Sequence, residues 1–161
     1  MAGFFSSSGR LRPDFFCFIA LSVALLVPGA VASELPRIRL EIESQPITAE
    51  VAIDAASHAN GLMFRESLPR NHGMLFLFAE PHQPCFWMKN TYVPLTIAFI
   101  DTEGVIVSLA DMQPESLDTH CAIAPIRYAL EMEQGWFARN GARPGTQVHG
   151  LPRLKHRAAP E

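Results

Sequence analysis

The amino-acid sequence predicts a mainly β protein, a compact antiparallel β-barrel or sandwich with one or two short helices. About eight short segments of apolar or alternating residues recur along the chain, and turn-forming residues separate them every eight to twelve residues, roughly as in small closed β architectures. At most two short segments have the caps and the glycine stops that are typical of helices. We find no internal repeat and no sign of a second domain.

The first predicted elements are a hairpin and a short helix. Residues 37–43 alternate between apolar and polar side chains, as do residues 47–53, and the Ser44-Gln45-Pro46 segment between them is typical of a turn. Asp54 is a suitable N-cap for a helix over residues 55–60, and Gly61 ends it. The two alternating runs therefore predict an antiparallel β-hairpin followed by one helical turn or two.

Later segments predict further short strands. The apolar run 74–78 predicts a central strand buried on both faces, whereas two prolines within residues 80–84 predict a loop. Further strands are predicted at 85–88, 95–100, 105–109, 128–132 and 147–149, and a single helical turn at 135–140. The polar segment 111–120 contains Pro114 and predicts no regular element.

The N-terminal residues have the three-part pattern of a secretory signal. Arg10 and Arg12 precede an apolar run over 15–27, and Ala30 and Ala32 are the small residues that a signal peptidase requires. A retained membrane anchor is the alternative, but the run is about thirteen residues and a span needs about twenty. We therefore expect residues 1–32 to be a cleaved signal peptide, with cleavage after Ala32, and the protein to be periplasmic or secreted.

The mature chain is weakly acidic. Without Arg10, Arg12 and Asp14 it has 13 − 2 = 11 basic and 16 − 1 = 15 acidic residues, a net charge of −4. This charge does not favour a nucleic-acid partner, and no segment after the signal predicts a stable membrane span. We expect one β domain over residues 33–150 and a disordered tail over 151–161, which is polar and basic.

Two cysteines, Cys85 and Cys121, follow the signal. In an exported protein they could form a disulfide, but two cysteines alone leave two separate buried thiols open. A zinc site with His82 and His120 is a weaker alternative, because adjacent residues of a strand point to opposite faces. A thiol nucleophile at Cys85 has no signal in the sequence. No motif requires a metal or another cofactor, and we expect none.

The candidate binding site is the turn Lys89-Asn90-Thr91, directly after Phe86-Trp87. A charge, an amide and a hydroxyl on one tight bend can bind a small anionic or sugar-like ligand, and Arg65 and His72 from preceding loops can join them. The alternative is structural, because Asn readily adopts the left-handed backbone of a turn and Lys89 would then be solvated.

Other residues suit a sugar or an enzyme site. Trp87 and Trp136 can stack on a sugar, although such residues more often pack in the core of a small β domain. A carboxylate pair such as Asp111 with Glu131 can perform acid-base chemistry, although carboxylates near turns are usually solvated. No nucleophile elbow is present.

Several motifs resemble the family known as domain of unknown function 192. They are Gly61-Leu62-Met63-Phe64-Arg65, Gly73-Met74-Leu75-Phe76, Phe86-Trp87-Met88-Lys89-Asn90-Thr91 and Tyr128-Ala129-Leu130-Glu131. The resemblance covers about residues 38–149 and implies a compact single-domain β fold, but no activity. The signature of the family falls on Arg65, Trp87, Lys89, Asn90, Thr91 and Glu131. Cys85 and Cys121 lie outside it, which favours a disulfide particular to this protein.

Three functions fit these observations. The first is a periplasmic ligand-binding or envelope accessory domain that takes a small anionic or sugar-like ligand, or an envelope protein, at Arg65 and the Lys89-Asn90-Thr91 turn. The second is a hydrolase or lyase that uses Lys89 with Glu131 or Asp111, which requires a perturbed pKa in a cleft. The third is an interaction module that pairs an exposed edge strand with a partner.

Overall fold

The computed structural model describes residues 34–153, which contain nine strands and two short helices. The predicted signal peptide and most of the predicted C-terminal tail lie outside these residues. The elements are β1 (Arg37–Ile42), β2 (Gln45–Ala52), α1 (Ala55–Asn60), β3 (His72–His82), β4 (Cys85–Phe86), β5 (Leu95–Ile100), β6 (Ile106–Met112), β7 (His120–Cys121), β8 (Ile126–Glu133), α2 (Trp136–Arg139) and β9 (Val148–His149).

Seven strands form one curled sheet in the order β6-β5-β8-β3-β2-β1-β9, and β4 pairs with β7 in a separate two-stranded sheet. All pairings are antiparallel except that of β2 with β3, which α1 and the loop after it connect. The two outer strands of the large sheet meet at one end, where Val105 forms an isolated bridge with Gln147. The fold is therefore a mainly β half-barrel, as the sequence predicts.

Apolar side chains cover both faces of the curled sheet. The concave side holds one cluster, in which Leu75, Leu130 and Trp136 are buried. The convex side holds a second cluster, in which Phe76, Ile97 and Phe99 are buried beneath the loops 61–68 and 84–94. Strands β3, β5 and β8 are consequently buried on both faces, which explains their nearly continuous apolar sequences.

The local predictions for the first half of the chain are largely confirmed. The hairpin β1–β2 forms, although its turn is at Glu43 and Ser44, both with positive φ, rather than at residues 44–46. The helix α1 has the predicted cap: Asp54 Oδ1 accepts a hydrogen bond from the Ser57 amide, and the Ser57 hydroxyl oxygen accepts one from the Asp54 amide. Gly61, with φ 46°, ends the helix.

Two predictions about chain segments are wrong. Residues 80–82 do not form a loop but continue β3, whose pairing with β8 shifts register between Leu77 and His82, so that Pro81 interrupts no regular ladder. The polar segment before residue 121 is not free of structure either, because His120 and Cys121 form β7. Within residues 34–153 no helix is long and apolar enough to cross a membrane.

Candidate functional site

A cavity of about 310 Å³ lies on the convex side of the sheet. Its floor is the sheet itself, and its walls are the end of α1 with the following loop and the segment around β4. The lining residues are His58, Ala59, Asn60, Gly61, Leu62, Met63, Phe76, Phe78, Pro84, Cys85, Phe86, Trp87, Thr91 and Glu131. The wall is therefore mainly apolar and aromatic, with a few polar groups, as in most small-molecule sites.

The two-stranded sheet of β4 and β7, hereafter the cysteine flap, forms one wall of this cavity. Cys85 and Cys121 lie opposite each other in the ladder and form a disulfide with Cα atoms 4.0 Å apart. The flap has only two paired positions, Cys85 with Cys121 and Phe86 with His120. The disulfide therefore closes a very short sheet that would have little stability by itself.

Among residues 34–153, Glu131 is the one carboxylate that lines the cavity, and it is almost fully buried at 4% exposure. It lies in the middle of β8, between Met74 of β3 and Ile97 of β5 in the sheet register. Burial alone raises the pKa of its carboxyl group to about 8, and no charge or hydrogen bond of the described residues opposes this shift. At neutral pH the group is mostly protonated and can donate a hydrogen bond into the cavity.

The close approach of β3 and β8 helps to bury Glu131. Gly73 lies opposite Met132, next to the Met74–Glu131 pair, and a Cβ atom there would overlap the backbone carbonyl of Glu131. The absence of a side chain at residue 73 thus permits the strand contact that fixes the backbone of Glu131.

The turn Lys89-Asn90-Thr91 has the predicted geometry. Asn90 is left-handed, with φ 55°, and the Thr91 amide donates to the Met88 carbonyl at 3.0 Å. Thr91 is buried and lines the cavity, and its hydroxyl donates to the Lys89 carbonyl at 3.3 Å, which leaves its oxygen lone pairs as acceptors. Of the three turn residues, Thr91 alone contributes to the cavity wall.

Trp87 and Lys89 lie at the outer side of the cavity. Trp87 is 49% exposed and lines the cavity, and Lys89 Nζ is 5.5 Å from the centroid of its indole ring. The other tryptophan, Trp136, is buried on the concave side, where its Nε1 donates to Asn71 Oδ1 at 3.0 Å. Trp87 is therefore the tryptophan that is exposed at the cavity, with Lys89 over its ring, and Trp136 belongs to the core.

Arg65 is placed outside the cavity wall, in an ion pair with Glu50 of β2. Its two terminal nitrogens donate to the two carboxylate oxygens at 2.8 and 2.7 Å. The hydrogen bond from Arg65 is the main cause that lowers the pKa of Glu50, and it likewise raises the pKa of Arg65. The guanidinium is thus already occupied by an acid of the same chain.

Asp111 and His72 do not join Glu131. Asp111 accepts a hydrogen bond from the Thr96 hydroxyl, and both residues belong to the strand positions that face the concave side. Glu131 faces the convex side, with Ala129. His72 Nδ1 lies 3.0 Å from the Arg70 carbonyl, at the start of β3. An acid-base pair of Asp111 and Glu131 is therefore ruled out by the sheet geometry.

His58 is a cavity residue that the sequence does not single out. Its Nε2 lies 3.1 Å from the carbonyl oxygen of Ala52, which can only accept, so Nε2 carries a proton. Its ring packs 5.0 Å from that of Phe78, which also lines the cavity. A histidine on a six-residue helix gives no sequence signal of this position, because the cavity forms only when the convex side is covered.

The zinc site and the thiol nucleophile at Cys85, the two alternatives that the sequence leaves open, both need free cysteine thiols. Cys85 and Cys121 are bonded to each other, which withdraws both sulfur atoms from zinc binding and from nucleophilic attack. Among residues 34–153 no three His, Cys, Asp or Glu side chains are grouped so that they could hold a metal ion.

A second, more open cleft of about 730 Å³ lies where the outer strands of the large sheet meet. Its wall combines Arg127 and Arg153 with Glu80 and Glu103, so its charges are mixed. Arg127 donates to the Ala79 carbonyl, and none of the four is buried. The buried polar side chain of this cleft, Tyr128, already donates its hydroxyl hydrogen to the Pro152 carbonyl at 2.9 Å.

Comparison with known proteins identifies the family. The profile of domain of unknown function 192, described as "Uncharacterized ACR", matches residues 38–150, and the chain belongs to this family. A crystal structure described as a putative transcription regulator from Sinorhizobium meliloti is 33% identical, with a TM-score of 0.69, over 71% of this chain and 94% of that one. A protein of unknown function from Novosphingobium aromaticivorans is 32% identical, with a TM-score of 0.68, over 73% and 88%. No curated protein matches the sequence.

Proposed function

We propose that this chain is an exported single-domain binding protein whose convex cavity takes a small, uncharged, sugar-like ligand. The observation that carries the proposal is the placement of Glu131 in the wall of that cavity, as a buried carboxyl group that makes no hydrogen bond to another side chain of residues 34–153. A ligand that enters the cavity can supply a hydrogen bond to this group.

The chemistry of the cavity favours an uncharged ligand over an anionic one. Glu131 is protonated below a pKa of about 8 and then offers a hydrogen-bond donor, whereas the ionised form would repel an anion. The Thr91 hydroxyl oxygen adds an acceptor, and Trp87 and Phe86 add aromatic surface. Aromatic rings pack against the C–H face of a sugar while donors and acceptors meet its hydroxyl groups. Arg65, which would favour an anion, is paired with Glu50.

An enzyme remains a second candidate because the raised pKa of Glu131 is typical of a general acid. Acid-base catalysis of hydrolysis or elimination usually needs a second ionisable group at the same bond. Lys89 and Asp111 are not in the cavity wall, and His58 is the other titratable side chain there among the described residues. No hydrogen bond joins His58 to Glu131 among the described residues, and a binding role needs no such second ionisable group, so we prefer it.

Two further roles receive less support. The description of one relative as a putative transcription regulator would imply a DNA-binding surface, but residues 33–161 hold 11 basic against 15 acidic side chains. An interaction module would need a free sheet edge, and the outer strands β6 and β9 are joined at one end, where the Val148 amide donates to the Gly104 carbonyl at 2.8 Å, which shortens the free edge of the large sheet.

The test is an NMR-detected titration of the mature protein with neutral monosaccharides and disaccharides. We expect shifts of the backbone amides of Glu131, Thr91 and Trp87, and loss of binding in Glu131→Leu, which removes the hydrogen-bond donor. Glu131→Gln keeps a donor and should retain part of the affinity. The matched control is Glu133→Gln, two residues further along β8, where the side chain is exposed and pairs with Arg139. Saccharides that leave the cavity amides unchanged, or that bind Glu131→Leu as well as the wild type, would contradict the proposal.

A further inference from the structure

We infer that three exposed aromatic side chains, Phe64, Trp87 and Tyr92, extend the cavity into a platform for a chain of neutral sugars. These three residues are called the aromatic platform below. The inference deepens the proposed function, because it rests on a sugar-like ligand in the cavity and adds that the ligand is an oligosaccharide rather than a single sugar.

The platform is exposed to an unusual degree for large aromatic residues. Phe64 is 65%, Trp87 49% and Tyr92 47% exposed, whereas Phe76, Phe99 and Phe137 are buried in the core. The rings of Phe64 and Tyr92 make an edge contact with centroids 6.5 Å apart. Exposed apolar side chains that occur singly need no explanation, but the contact between Phe64 and Tyr92 joins two exposed rings into one apolar surface, which is typical of a binding site.

The residues of the aromatic platform either line the cavity or directly follow a residue that lines it. Trp87 lines the cavity directly. Phe64 follows Met63, and Tyr92 follows Thr91, and both of these preceding residues line the cavity. A ligand that extends out of the cavity past Met63 and Thr91 would therefore meet Phe64 and Tyr92.

The backbone holds the platform in a fixed conformation. Phe64 has φ 63° and Asn90 has φ 55°, both in the left-handed region, and the Phe64 amide donates to the Asn90 carbonyl at 2.8 Å. Left-handed backbone costs an ordinary residue about 1–2 kcal/mol, so Phe64 is a poor choice for stability alone. A residue of this kind, exposed and strained, is expected where its side chain has a binding function.

The chemistry of the platform fits a neutral glycan. Successive sugar rings present C–H faces that pack on aromatic rings, and their hydroxyl groups can contact the side chains of Lys89 and Asn90 between them. Glu131 adds no charge to the cavity wall while it is protonated, which suits a neutral sugar unit. A protein partner is the competing occupant, and the experiment separates the two.

The experiment is a chain-length series by calorimetry and NMR, with gluco-, chito- and malto-oligosaccharides of one to six units as probes. We expect affinity to rise about tenfold from the monosaccharide to the tetrasaccharide, the gain of stacking about one further ring.

Phe64→Ala and Tyr92→Ala should remove this gain while monosaccharide binding is unchanged, and Phe64→Tyr should keep it. Ile53→Ala, also at an exposed apolar residue, is the control. Amide spectra establish that each variant is folded.

The outcomes separate the inference from the proposed function. Monosaccharide binding in the cavity without any gain from chain length would overturn the platform and leave the proposed function intact. Failure of every saccharide to bind would overturn both. If the wild type then self-associates in sedimentation and Phe64→Ala does not, the platform is a protein contact.

Discussion

Arg65 and Glu50 are joined by two parallel hydrogen bonds, from Nη1 to Oε1 at 2.8 Å and from Nη2 to Oε2 at 2.7 Å. The pair connects the loop after α1 to strand β2, and thereby holds one wall of the cavity against the sheet. Two-point contacts of this kind need the planar fork of Arg, which Lys cannot reproduce. The sequence suggests Arg65 as a ligand contact, and in the structure its guanidinium is engaged by Glu50, from which we expect Arg65 to contribute to stability.

Arg65→Ala should lower the free energy of unfolding at pH 7 by about 1 kcal/mol, because the pair is partly exposed and solvent screens it. Arg65→Lys should restore less than half of this loss. Urea unfolding measures both variants. Arg139→Ala is the matched control, since Arg139 lies 3.1 Å from Glu133 in a largely exposed pair away from Glu50 and should contribute little. Equal effects of Arg65→Ala and Arg139→Ala would contradict the structural role.

The contribution of the Arg65–Glu50 ion pair to stability should decrease at acidic pH. The pKa of Glu50 in the folded protein lies below its ordinary value of 4.5, so its stabilising effect is present above pH 4.5 and is lost as the pH falls through the lowered value. The difference in unfolding free energy between the wild type and Arg65→Ala should therefore be constant from pH 5 to 7 and shrink below pH 4. A difference that persists at the lowest pH where the protein folds would show that Arg65 acts by packing.

The effect of Glu131 on the free energy of unfolding should have the opposite dependence on pH, because its pKa is raised rather than lowered. Its folded pKa of about 8 lies above the ordinary value of 4.5, so between these values the folded state holds a proton that the unfolded state has released. The stability of the wild type then falls with rising pH through this window, by at most about 1.4 kcal/mol per unit. Glu131→Gln should therefore gain stability relative to the wild type as the pH rises from 5 to 8, in denaturant unfolding at each pH. Glu133→Gln should show no such trend, and a flat difference for Glu131→Gln would mean that water reaches the carboxyl group.

The disulfide should contribute measurable stability. Cys85 and Cys121 are 36 residues apart, and closing a loop of that length restricts the unfolded chain by roughly 3–4 kcal/mol. Mass spectrometry of the isolated protein should show two hydrogens fewer than the reduced form, with both restored by reductant. The free energy of unfolding of the double variant Cys85→Ser with Cys121→Ser, measured with denaturant, should be lower by the corresponding amount. Two free thiols in the isolated, unreduced protein would contradict the pairing.

The same mass measurement tests export. The small residues Ala30 and Ala32 predict cleavage after Ala32, so the mature protein should begin at Ser33. Ala32→Arg should block cleavage and leave the precursor, because the enzyme requires a small residue at that position. A cytoplasmic protein that keeps residues 1–32 would contradict the predicted periplasmic or secreted location.

Local patterns predict most of the fold because they are decided by neighbouring residues. Strand β5 has the predicted bounds, 95–100, since its residues are apolar on both faces and a turn follows directly. Strand β7 is not predictable in this way: it has two residues in a polar segment and exists because Cys121 pairs with Cys85. The parallel pairing of β2 with β3 likewise depends on how the loop after α1 returns to the sheet.

The site is harder to predict because it depends on what covers the sheet. In β8, Glu131 points to the other face of the sheet from Leu130 and Met132, and this alternation by itself predicts that Glu131 is exposed to solvent. The residue is instead buried, because the cysteine flap and the loops around Met63 and Thr91 cover this face of the sheet. The family resemblance includes Glu131 in its signature, but the burial that gives the residue its raised pKa becomes visible only in three dimensions.

Phe64→Gly tests whether the strained backbone of the aromatic platform is retained for function. Gly adopts positive φ without the penalty that a side chain imposes, and Phe64 loses little burial at 65% exposure. Phe64→Gly should therefore be about 1 kcal/mol more stable than Phe64→Ala in urea unfolding, although it loses the same ring. Asn90→Gly should likewise be tolerated, whereas Asn90→Val should be strongly destabilised, because a β-branched residue fits poorly at φ 55°. If Phe64→Ala is as stable as Phe64→Gly, residue 64 is not strained in solution, and the argument for a platform held in place by the backbone loses its basis.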